Sequence, residues 1–149
     1  MGIFDFRDVS KRKKKTDGVT ITCTPKEIFL NDVSISFPTN YSILKGILGE
    51  ASRIEPTKQS KNKVYLWDKL GIYCSTADAE KMLMLLLVED SRYGLGHQPK
   101  NNFTGIVTID GEPVADTIKN VSEDRPYMIR SIIKDSKQVA VALGWNPGV

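Results

Sequence analysis

One histidine and two cysteines in 149 residues exclude more functions than any motif in the chain suggests. A zinc site needs three or four His, Cys or carboxylate ligands converging on one point. His97, Cys23 and Cys74 stand apart in sequence with no further ligands at metal spacing, and no calcium-loop pattern of oxygen donors occurs. Neither a metal nor a cofactor is expected. There is no G-x-S-x-G, so His97, within the loop-like run Tyr-Gly-Leu-Gly-His-Gln-Pro, has no placed nucleophile and reads as an ordinary exposed histidine. Gly94 and Gly96 do not extend to G-x-G-x-x-G, and Gly71 is not followed by the Gly-Lys of a phosphate loop. Paired acids, Glu89-Asp90 and Asp110 with Glu112, have the composition of a general acid and base, but at strand ends and turns such acids are ordinarily solvated. The chain is not expected to be an enzyme.

Long apolar runs are also missing. The longest, residues 82–88, has seven residues, far short of the roughly 18 that span a membrane. The first fifteen residues place their charge after the apolar positions and contain no signal-peptide core, and Phe6 makes Met1-Gly2 a poor myristoylation start. A cytoplasmic address is expected. Cys23 and Cys74 each lie within a strand-like run and are expected to be buried free thiols.

Charge is abundant but unevenly placed. Residues 1–15 hold six bases against two acids, a net +4, while the remaining 15 bases and 16 acids give −1. The sequence pI of 8.8 therefore reflects a tail, and the body needs no nucleic-acid surface to explain it. Residues 1–17 read as a basic flexible tail and 18–149 as one domain. The tail's Ile3, Phe4 and Phe6 followed by basic residues allow weak contact with an anionic membrane or RNA.

Along the body, the β-branched run Val-Thr-Ile-Thr-Cys at 19–23 predicts a strand. Residues 27–30 and 33–37 predict a hairpin across Asn31-Asp32. Thr39 or Asn40 caps a helix over 41–48, where Ile43, Leu44, Ile47 and Leu48 form one stripe and Gly49 stops it. Residues 64–67 and 72–75 pair across Asp68-Lys69-Leu70-Gly71. Alternation puts Val64 and Leu66 on one face, Tyr65 and Trp67 on the other; Trp67 is assigned to structure and Asp68 to the turn. Residues 82–88 fit a strand buried on both faces or a buried helix begun at Ser75 or Thr76; the length and the closing Glu89-Asp90 pair favour a central strand. Residues 103–109 form another strand closed by Asp110-Gly111, with Pro113 marking an edge. Met128, Ile129, Ile132 and Ile133 have helical spacing, so 124–133 predicts a second helix. Residues 139–145 predict a strand with Val139, Val141, Leu143 and Trp145 on one face and Ala140, Ala142 and Gly144 on the other. The expected class is α+β: a mostly antiparallel sheet with one or two helices packed on one face.

Several of these residues form a recurring set: the Leu-Asn-Asp turn within 28–33, Ile47-Leu48-Gly49-Glu50 before Ser52-Arg53, Trp67-Asp68-x-Leu70-Gly71-Ile72, and Phe103-x-Gly105 with Ile109-Asp110-Gly111. Over about residues 20–115 this set resembles a bacterial domain family of unknown function. Its members are small cytoplasmic proteins encoded near polymorphic-toxin and type VI secretion genes and are regarded as candidate immunity proteins. The resemblance carries no catalytic residues. It implies an immunity protein that binds a cognate effector toxin one to one and neutralises it. The alternative is a membrane- or RNA-associated adaptor working through the basic tail; nucleic acid is otherwise not expected as a partner. The expected contact surface is the irregular stretch 89–102 with the acidic turns, comprising Glu89, Asp90, Arg92, Tyr93, Asp110 and Glu112.

Overall fold

The computed structural model describes residues 19–57, 62–77, 81–90, 94, 97–113 and 125–146. Eleven strands and one helix are assigned within them, and the strands form two sheets. The first sheet has the order β3 (Val33–Ile35), β2 (Ile28–Leu30), β1 (Thr20–Cys23), β8 (Ile106–Ile109), β9 (Glu112–Pro113). Its β1–β8 pair is parallel and the others antiparallel. The second is antiparallel throughout, with the order β10 (Tyr127–Lys134), β11 (Lys137–Trp145), β7 (Lys81–Val88), β6 (Ile72–Ala77), β5 (Lys63–Trp67), β4 (Arg53–Pro56).

The alternation of the strands explains the core. Ile21, Cys23, Ile28, Leu30, Ile35 and Val107 from the first sheet meet Tyr65, Trp67, Ile72, Cys74, Leu85, Leu87, Ile129, Val141 and Leu143 from the second in one buried cluster. The opposite face of the second sheet carries its own cluster, with Val64, Leu66, Tyr73, Leu86, Val88, Ala140 and Ala142. This is why β7 is apolar without interruption: Leu85 and Leu87 face one cluster, Leu86 and Val88 the other. The register of β7 against β6 passes from Ser75↔Met84 to Thr76↔Met82, leaving Leu83 as an extra residue. That bulge returns Met82 to the core side. Both cysteines are buried and free, and burial pushes their thiols up to about 11 and about 12.

The one helix, α1 (Tyr41–Leu48), is capped by Asn40, whose side chain accepts from Ile43 N at 3.2 Å, and ends at Gly49 with φ 89°. Only Leu44 of its stripe is fully buried, while Ile43 is 46% exposed. Polar handles hold the helix ends. Trp67 Nε1 donates to Gly49 O at 2.8 Å, Tyr41 Oη accepts from Ala51 N at 2.9 Å, and the Tyr41 ring stacks on Tyr65 with centroids 4.5 Å apart. Trp67 is thus structural, as its strand position implies.

The strands are mostly antiparallel, as expected, and three expectations are corrected. The body is β-rich, with two sheets rather than one and a single short helix among the described residues. The second helix, at 124–133, is instead strand β10, joined to β11 by a two-residue turn at Asp135 (φ 55°) and Ser136 (φ 64°). Its apolar residues serve two faces: Tyr127 and Ile129 enter the central core, while Met128 and Ile132 pack on the outer cluster. Residues facing two ways on a strand imitate one helical stripe. In β11 the register shift between Ile132 and Ile133 makes Val139 the extra residue, so it joins Ala140 and Ala142 rather than Val141. Trp145 is 43% exposed.

Candidate functional site

The connection from β7 to β8 is tied to the second sheet along residues 97–103. Edge strand β4 supplies Arg53 and Glu55, which alternation puts on one face. The β5–β6 turn supplies Asp68, 7% exposed. Arg53 donates from Nε to Asp68 Oδ2 at 2.8 Å and from Nη2 to Asp68 Oδ1 at 3.0 Å, a bidentate pair. It also donates to Glu55 Oε2 from Nη1 and to the backbone oxygen of Gln98 at 3.1 Å. Asp68 Oδ1 accepts Lys100 N at 3.0 Å, and its backbone oxygen accepts Asn101 N at 3.0 Å. Glu55 Oε1 meets His97 Nδ1 at 2.9 Å, and the His97 and Tyr73 rings lie 6.3 Å apart. Phe103 N donates to Val88 O at 2.6 Å, closing the crossing. Pro99 is buried beneath it.

Electrostatics follow from these contacts. Bonds from Arg53 hold the Asp68 carboxyl below the usual carboxylate range, and the bond from His97 does the same for Glu55. Arg53 is raised by its bond to Asp68. Both acids are therefore ionised near neutrality, and an ionised carboxylate only accepts. The proton of the Glu55–His97 bond must sit on Nδ1, so a neutral His97 presents Nε2 as an acceptor. No hydroxyl or thiol is hydrogen-bonded to the imidazole among the described residues. The ordinary exposed histidine is in fact half-buried and oriented.

Because the folded-state values of Asp68 and Glu55 are depressed, their contribution is present above the ordinary carboxylate range, near pH 4, and is lost as pH falls through the lowered values. Amide exchange should show Lys100 protected at pH 6 and released as both carboxyls take up protons. Asp68→Ala should abolish that protection at every pH. It should also destabilise the fold by about 1–3 kcal/mol, since it strands donors that Asp68 now satisfies. Unchanged protection in the variant would show that Asp68 does not hold the loop.

The acids expected to bind a partner do not form one patch. Glu89 accepts from Gln138 Nε2 at 2.9 Å, and Asp90 lies 3.6 Å from Lys137 Nζ, both beside the β10–β11 turn. Asp110 is clasped by Arg125 at the far end of that hairpin, where Arg125 also donates to Thr24 O at 3.3 Å and Tyr127 Oη donates to Thr24 O. About six strand residues, roughly 20 Å, separate the two groups. Glu112 is exposed on β9 beside Asp110. Arg92 and Tyr93 lie outside the described residues, as does the basic tail. His97 meets β4 at Glu55, three strands along the sheet from β7, the strand that Glu89 follows. No group of three potential metal ligands occurs among the described residues, and no helix among them is long and apolar enough to cross a membrane.

Residues 20–124 match the family described as "Domain of unknown function (DUF7738)". The chain belongs to this family. No curated protein matches it in sequence. Among solved structures, it is similar to a cysteine-rich secretory protein from Staphylococcus aureus subsp. aureus Mu50, at 13% identity and a TM-score of 0.41. That likeness covers 73% of this chain and 43% of the other, and it is too distant to carry an argument. The DUF7738 match stops before β10, so the hairpin that completes the second sheet lies outside it.

Two of the sequence motifs meet in the structure. Ser52-Arg53 and Trp67-Asp68 meet directly: Asp68 N donates to Ser52 Oγ at 2.9 Å alongside the Arg53 pair. Gly105 lies so close to Val19 O that an added Cβ would stand 2.1 Å from it. Sequence reasoning missed Arg53, Glu55 and the role of Asp68. The one available signal was an aspartate following a buried tryptophan in a set that also holds an isolated arginine.

Proposed function

We propose that this chain is a non-enzymatic, cytoplasmic binding protein of the immunity type, which neutralises a cognate bacterial effector toxin by forming a one-to-one complex with it. The observation that supports this reading is the pinned crossing at 97–103. A loop fixed to a rigid sheet by its own backbone and by Arg53 and Asp68 loses little freedom on binding, which favours tight recognition. The loop offers mixed hydrogen-bonding groups at a sheet edge and belongs to the stretch that the sequence already marks as the contact surface. The resemblance to proteins encoded near polymorphic-toxin and type VI secretion genes supplies the partner class. Asp90 and Asp110 are each paired with a base, so they steer a basic partner weakly; Glu112 is more exposed.

The test is co-expression with the effector encoded beside the gene. Growth should be restored and the two chains should co-purify at equal stoichiometry. Toxicity without rescue, together with no co-purification, would reject the reading.

A further inference from the structure

The partner-contact chemistry of the pinned loop is set by one side chain. We propose that His97, oriented by Glu55, is the principal contact of this loop and takes a hydrogen-bond donor of the partner protein, a lysine or arginine side chain or a backbone N–H, on its Nε2. This assignment rests on the binding function proposed above and adds the residue, the atom and the polarity of the contact.

Geometry carries the argument. Glu55 Oε1 holds Nδ1 at 2.9 Å, and the carboxylate is engaged through its other oxygen by Arg53. Glu55 therefore has no proton to give, and Nδ1 is the donor. Nε2 is then an acceptor with no hydrogen-bond partner among the described residues. The ring is held on one side by Glu55 and lies beside Tyr73, and the side chain remains 31% exposed. A ring fixed in one tautomer and one orientation binds without the entropic cost of freezing a mobile side chain. Its neighbours are Glu55 from β4, whose charge is balanced by Arg53, and the neutral Tyr73 from β6.

Two measurements decide it. In the free wild-type chain at about pH 8, ring nitrogen shifts from NMR should show the Nδ1–H tautomer of His97; the Nε2–H tautomer would overturn the assignment. In complex with the inactivated effector encoded beside the gene, His97→Ala should weaken affinity about tenfold or more. Glu55→Gln, whose amide can donate to Nδ1 and so reverse the tautomer, should weaken binding while leaving the loop folded. If wild type forms no complex, the binding reading falls with this one. If wild type binds and His97→Ala binds equally well, only the role of His97 is overturned.

Discussion

A chain ending at residue 124 is expected to be recovered unfolded or aggregated. The missing segment contains β10 and β11, and β11 lies between β10 and β7, inside the second sheet. Its loss strips Tyr127, Ile129, Val139, Val141 and Leu143, all buried, from the two clusters. At about 1.5–3 kcal/mol for each large apolar side chain, the loss is on the order of 10 kcal/mol, comparable to the whole net stability of a domain. It also bares the edge of β7, the most apolar strand, which is a template for aggregation. Solubility, circular dichroism and a cooperative melt give the readout. A soluble, cooperatively folding 1–124 fragment would show that the family match alone marks a complete folding unit.

Gly71 is the second position where a small change should have a large effect. Its φ is 73°, and a Cβ built there would stand 2.2 Å from Phe103 N and 2.5 Å from Asn102 C, both backbone atoms. Neither can yield without moving the crossing that Val88 O and Asp68 O hold in place. Gly111 is a natural control, with φ 85° but nothing within 4 Å of its added Cβ. Gly111→Ala should cost about 1–2 kcal/mol, from the left-handed backbone alone. Gly71→Ala adds an overpacking cost of about 1–3 kcal/mol, for a total near 2–5 kcal/mol and a fall in Tm on the order of 10 °C. Denaturant melts of the two variants side by side separate the contributions. Equal losses would mean that the crossing does not press on the β5–β6 turn.

The turns show where local chemistry speaks plainly. Asn31-Asp32 and Asp110-Gly111 are legible because a two-residue hairpin needs positive φ at both positions, and these residue types tolerate it. Asp135-Ser136 makes the same turn, but serine is a poor marker of φ 64°, and the apolar residues of the neighbouring strand have helical spacing. Met128, Ile129, Ile132 and Ile133 fit a helical stripe only while the second apolar face is unknown. Once β11 lies beside them and an outer cluster exists, alternation and a bulge account for the same residues.

The amino-acid sequence by itself determined most strands, the helix with its Gly49 stop, and the structural part played by Trp67, because these depend on neighbours within a few residues. Only the tertiary structure decided that strands fall into two sheets, since alternation states which side chains share a face and never which sheet they meet. It alone joined Arg53 to Asp68 across 15 positions and His97 to Glu55 across 42. A charged side chain is solvated or paired according to what folding brings within about 3 Å, and no local pattern records that distance.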